Sequence, residues 1–92
     1  MKIFFFITKS EQGGAQTHVA QLTRCFVEQG HQIAIMSAPG GWLEQETHEL
    51  GAKFYPNISL RNTANPLRLC ISSRALLRAI DDFQPDIVAC HS

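Results

Sequence analysis

Ninety-two residues are enough for one small domain, since domains run to roughly 100–150 residues; this excludes a self-contained two-domain enzyme with a cleft between its halves. Apolar residues make up 45% and charged residues 17%, and eight Lys/Arg balance eight Asp/Glu. A core can therefore form, whereas neutrality argues against a nucleic-acid groove or an anionic membrane patch as the main partner, and leaves little charge to keep copies apart.

Lys2 to Thr8 (KIFFFIT) is a continuous apolar, β-branched and aromatic run. That pattern predicts a strand buried on both faces of a parallel sheet. It is not read as a secretory signal, because its apolar run is five residues where a signal needs roughly 7–15. A loop with a double glycine, Gly13-Gly14, follows. From Ala15 the pattern turns helical: Ala15, Val19, Leu22 and Phe26 form one stripe, with Gln16, Gln21, Arg24 and Glu28 elsewhere. Gly30 closes the helix as a C′ glycine would.

His31 to Ser37 (HQIAIMS) predicts a second strand, and Ala38-Pro39-Gly40-Gly41 breaks it. Trp42 to Leu50 predicts a short helix, stopped at Gly51. Lys53 to Tyr55 is a weak third strand ended by Pro56, and Asn57 to Asn65 is a loop. Asn65 and Pro66 suit the N-cap and N1 positions of a third helix, striped by Leu69, Leu76, Ile80 and Phe83. Pro85 ends it, and Asp86 to His91 (DIVACH) is a fourth strand.

Strands alternating with helices predict an α/β fold: a parallel sheet of about four strands in order 3-2-1-4 with three helices, half of a doubly wound Rossmann-like fold. The fourth strand is an apolar edge, an aggregation liability or a pairing surface. Cys25, Cys70 and Cys90 form no CxxC and no paired set, so three buried free thiols in a reducing compartment are expected. No run reaches the ~18 apolar residues of a membrane span, and the expected location is cytoplasmic.

In this strand order the crevice opens above the carboxyl ends of strands 1 and 4. Gly13 and Gly14 follow strand 1 at a helix N-terminus, where backbone N–H groups suit a diphosphate; a tight turn that merely needs glycine reads equally well. The loop is neither GxGxxG nor a P-loop, and no acidic residue ends strand 2 to hold a ribose. His91, at the end of strand 4, can donate to a phosphate or sugar hydroxyl, or be a strand-end histidine without a ligand. His18, one turn into the first helix, is a neutral donor or base facing the crevice, or a half-buried helix histidine. The histidines and cysteines have no metal-ligand spacing, so no metal is expected. Glu44, Glu46 and Glu49 read as a wet helix face, and Arg78–Asp82 as an i,i+4 pair on another. Arg61, in the longest loop, and Lys9, after strand 1, are candidates for an acidic acceptor or lipid phosphate beside the plainer reading of surface cations.

The segment Gly13-Gly14-Ala15-Gln16-Thr17-His18-Val19, then Leu22 and Gly30-His31-Gln32-Ile33, resembles the start of the group 1 (family 4) glycosyltransferases. Asn65-Pro66-Leu67 and Pro85-Asp86-Ile87-Val88, with His91-Ser92, resemble the same family, in the branch that builds capsule and lipid-linked polysaccharides. The resemblance implies a GT-B enzyme, with two Rossmann-like domains flanking the site, retaining and metal-independent, with no cofactor. A nucleotide sugar is the donor substrate and a glycan or lipid-linked molecule the acceptor. It implies that Gly13 and Gly14 approach the donor diphosphate, that His18 and His91 line the cleft, and that Arg61 and Lys9 lie towards the acceptor. Ala89 departs from the pattern, since many members of the branch have histidine there. The E-x7-E pair of the family's second domain does not occur in these residues.

The resulting expectation is a single partial Rossmann-like domain over residues 1–92, the acceptor-side part of a glycosyltransferase, inactive alone and located in the cytoplasm or at the inner face of a membrane. The alternatives are a non-catalytic module that self-associates through the strand 4 edge, and a small nucleotide- or flavin-binding protein.

Overall fold

The computed structural model of the chain describes residues 1–7, 14–57, 60 and 66–91, and only the backbone of residues 15 and 66–72. The elements are β1 (Lys2–Ile7), α1 (Gly14–Glu28), β2 (Gln32–Ser37), α2 (Trp42–Glu49), β3 (Lys53–Pro56), α3 (Pro66–Phe83) and β4 (Ile87–His91). The sheet order is β3-β2-β1-β4, with every pair parallel. Fold class and strand order are those expected from the sequence.

Side chains alternate across a strand, and β1 sends them to two different cores. Ile3, Phe5 and Ile7 join Ile33 and Ile35 of β2 beneath Val19 of α1 and Leu43 of α2. Phe4 turns the other way, to Ala34 and Met36 of β2 and Ala79 and Phe83 of α3. The helices therefore cover opposite faces of one sheet. Phe4 has no exposed surface, and its ring lies 5.8 Å from Tyr55 and 6.3 Å from Phe83. Leu60 also enters this second core, from within the segment expected to be only a polar loop.

The helix ends show why the connections are short. Gly30 takes φ +90°, its N–H donates to Val27 O, and His31 N–H donates to Phe26 O. This pair of bonds satisfies the last carbonyls of α1, and Phe26 packs edge-on against His31. Helix α3 uses a different residue for the same turn. Gln84 takes φ +54° without being glycine, its N–H donates to Ile80 O at 2.8 Å, and its side-chain amide donates to Asp81 O at 2.7 Å.

Three expectations need correction. The buried face of α1 is Gln16, Val19, Ala20 and Thr23, rotated from the apolar stripe; Leu22 and Phe26 only flank the core. Gln16 lies 3% exposed, although hydrophobic spacing placed it outside. Cys25 and Cys90 are exposed rather than buried: Cys25 is on the wet side of α1, and Cys90 is on β4, which among the described residues pairs only with β1. Arg78 and Asp82 do not pair, because the Asp82 carboxylate accepts from Lys53 Nζ at 2.9 Å and from the Tyr55 hydroxyl at 2.6 Å.

Candidate functional site

A parallel sheet presents its strand carboxyl ends together, and here the crossovers change direction between β1 and β4. Ligands bind open α/β sheets at such a point. Ile7 ends β1 opposite His91 of β4 in the register. Gly14 begins α1 just beyond, exposed to solvent. Its φ is not positive, and among the described residues no atom beyond its chain neighbours and its own helix backbone lies within 4 Å of where a Cβ would stand. Neither strain nor crowding therefore explains a glycine at 14, which removes the turn argument for that position and leaves an open backbone at the positive end of α1.

His91 is half-buried, with its ring 5.7 Å from the Phe5 ring. Phe5 belongs to the core under α1 and α2, so the imidazole leans to that side of the crevice. His18 is exposed on α1 and makes no core contact; its stripe-mates at spacings of four and seven are the half-buried Leu22 and the exposed Cys25. Lys9, Gly13 and Arg61 lie outside the described residues, as does most of the loop that follows β3.

Two buried polar groups that sequence patterning did not single out belong to the same end of the sheet. Gln16, in the first turn of α1, has an amide Nε2 without a hydrogen-bond partner among the described residues, and so does the hydroxyl of Ser37, the fully buried last residue of β2. A buried unsatisfied group costs about 1–3 kcal/mol. Beside Ser37, Asn57 N–H donates to Ser37 O and its side-chain amide to Met36 Sδ, tying the start of the β3 loop to β2. A polar residue in an apolar segment was the available signal, but spacing alone does not separate it from a surface position.

The opposite end of the sheet carries the clearest electrostatics. Lys53, Tyr55 and Asp82 connect β3 to the last turn of α3. The Tyr55 hydroxyl, then Lys53, hold the Asp82 carboxyl below its ordinary value. Tyr55 and then Asp82 raise Lys53, and desolvation followed by the bond to Asp82 raises Tyr55. Perturbed groups can mark active sites, but these are surface groups at strand amino ends, and they act as a clasp between elements. A recess of about 370 Å³ lined by Lys2, His31, Gln32, Lys53 and Asp82 lies at the same end, away from the crevice. Among the described residues no cluster of His, Cys, Asp or Glu is placed to hold a metal, and no helix is long and apolar enough to cross a membrane.

The sequence pattern of Glycosyltransferase Family 4 matches residues 12–92. Two solved structures share the fold. MurG from Acinetobacter baumannii superposes with a TM-score of 0.79 at 14% identity, over 99% of this chain and 28% of that one. A glycosyltransferase from Rickettsia africae ESF-5 gives 0.80 at 22% identity, over 99% and 23%. This chain thus spans about a quarter of the length of either. No curated protein matches it.

Proposed function

Because the chain belongs to Glycosyltransferase Family 4, we propose that it is the acceptor-side, Rossmann-like part of a GT-B enzyme. That enzyme transfers a sugar from a nucleotide-sugar donor to a glycan or lipid-linked acceptor, working in the cytoplasm against the inner face of a membrane. Gly13 and Gly14 approach the donor diphosphate, His18 and His91 line the cleft, and Lys9 and Arg61 lie towards the acceptor. The family resemblance implies that no cofactor or metal is needed; transfer between two bound substrates then rests on positioning and charge stabilisation by protein groups. Residues 1–92 form one partial domain, which lacks the groups that would hold the donor's base and ribose.

One observation carries this reading. Gly14 stands exposed at the N-terminus of α1, at the switch point of the sheet, with no conformational or packing reason to be glycine. Close approach of a phosphate to the backbone supplies the reason.

The test has two arms. In the first, amide shifts are followed by NMR during titration with a nucleoside diphosphate sugar. Weak binding, about millimolar in Kd, should move Gly14 and the next amides of α1. Gly14→Ala, which should fold as well as the parent, should weaken that binding about tenfold, or ~1.4 kcal/mol. Equal binding by both proteins overturns the assignment. In the second arm, the 92-residue chain is assayed against a panel of nucleotide sugars and acceptors. No turnover is expected, and clear turnover overturns the view that these residues need a second domain.

A further inference from the structure

Helices α1 and α2 lie side by side on one face of the sheet, over a shared core, and a recess of about 190 Å³ opens between them. Thr17, Gln21 and Arg24 follow one another at spacings of four and three, so α1 presents them on one flank. Trp42 and Glu46, four apart, do the same for α2, and the small, buried Ala20 lines the recess as well. Trp42 packs on the core with part of its half-buried ring and lines the recess with the rest. All of these residues stand between β1 and β3 in the chain, so none of them belongs to α3 or β4.

The Arg24–Glu46 pair crosses from one helix to the other without locking. Nη2 and Oε1 are 3.9 Å apart, beyond hydrogen-bond length, and among the described residues neither group has another ionic partner. A guanidinium that only donates, a carboxylate that only accepts, the Gln21 amide and the Thr17 hydroxyl therefore surround one aromatic wall. A hydroxyl that accepts from Arg24 and donates to Glu46 satisfies both. An anion would meet Glu46 and a cation Arg24, and an aliphatic chain would leave both charges facing an apolar body. A neutral ring with hydroxyls at its rim and an apolar C–H face for the indole suits every group present. We propose that this recess binds a sugar ring, as a subsite for the glycan acceptor set apart from the crevice. Helix α2 lies on the β3 side of α1, whereas the switch point between β1 and β4 lies on the other, so the ring held here is not the one that reacts. Both helices start at strand carboxyl ends, with Thr17 and Trp42 near their starts, and a glycan of several units reaches from recess to crevice round the N-terminus of α1. The acceptor role rests on the proposed function; the sugar chemistry rests on these side chains alone.

Trp42 is the only tryptophan, so its fluorescence reports on this recess alone. Titration of the 92-residue chain with cellobiose, maltose, lactose and chitobiose should shift its emission with at least one of them, at about millimolar Kd. Sorbitol, which has the hydroxyls but no ring face, should leave it unchanged. Arg24→Ala, at an exposed side chain, and Glu46→Gln, of equal size, should each keep the parent's circular dichroism spectrum and raise that Kd about tenfold, the loss expected for one hydrogen bond to a charged group. Silence with all four sugars overturns the proposal. So does binding that both substitutions leave unchanged, or a response to sorbitol equal to that of the sugars. The proposed function is read separately, at the Gly14 amide. Sugar binding at Trp42 without any response of Gly14 to a nucleoside diphosphate sugar keeps the recess and removes its acceptor role; the reverse result overturns the recess alone.

Discussion

Among the described residues, β3 lies at one side of the sheet with Lys53 and Pro56 at its two tips, whereas β4 lies at the other with five residues, none of them charged or proline. An exposed edge offers unpaired N–H and C=O groups, and lysine, proline and short length are standard ways to blunt one. Strand β3 has all three, with four residues in all, and the Lys53–Asp82–Tyr55 clasp also fixes its side chains against α3. Strand β4 has none. The difference separates a surface made to stay in water from one whose composition matches the buried β1 and β2.

The severest way to break this comparison is to remove what both edges share. Phe4 packs on Tyr55 of β3 and on Phe83, four residues ahead of β4. Phe4→Ala should cost about 3–5 kcal/mol, enough to unfold a domain of this size; a urea melt that keeps most of the parent's stability would show that the two edges are held independently. Next, Lys53→Val with Pro56→Val strips β3 of its blocking residues. The doubly substituted chain should associate at several-fold lower concentration than the parent, which sedimentation would reveal. Unchanged behaviour would mean that edge chemistry does not govern association.

A smaller effect should follow from opening the clasp with Asp82→Asn. Asp82 is held below the ordinary carboxylate value, so its contribution is present above that value and lost as pH falls through the lower folded one. Lys53 and Tyr55 are raised, so theirs is present below their ordinary values and lost as pH rises through the folded ones, in the alkaline range. Thermal melts across pH should be flatter at both extremes in the variant than in the parent. Salt should reduce the difference, because both Lys53 and Asp82 side chains are more than half exposed. Smallest of all, Gln84→Gly should relieve the left-handed turn between α3 and β4 and stabilise the chain by about 0.5 kcal/mol. The gain is reduced by losing the side-chain bond to Asp81 O, and a destabilised variant would show that this bond dominates.

Much of the architecture was legible because its signals are local. The unbroken runs Lys2–Thr8 and His31–Ser37 read as strands, the first as buried on both faces, and strands stand at Lys2–Ile7 and Gln32–Ser37 with most of their residues buried. Gly30 and Pro85 mark helix ends through backbone constraints that act within a few residues. What failed depends on neighbours. Cys90 sits in a strand as apolar as β1, but burial requires something on top of it. Gln16 and Thr23 are buried by the direction α1 faces, which apolar spacing reports only indirectly. The Asp82 clasp joins residues 29 and 27 positions apart, so a helical i,i+4 rule chose the wrong partner. At the candidate site, Gly14 was legible as a residue, whereas its freedom from strain and crowding needed coordinates.

The place of β1 has a consequence for how the chain acquires its shape. Strand β1 is made well before β4, which must join it: Lys2 N–H donates to Asp86 Oδ2 and Asp86 N–H to Lys2 O, each at 2.7 Å, across 84 positions of sequence. At roughly 5–20 residues per second, a ribosome leaves Phe4, Phe5 and Phe6 waiting on the order of ten seconds for that neighbour. Contacts this distant slow the search for the native state. The nascent chain is therefore expected to spend its riskiest interval with its most aromatic segment only half enclosed, a natural client for a chaperone until residue 91 has emerged.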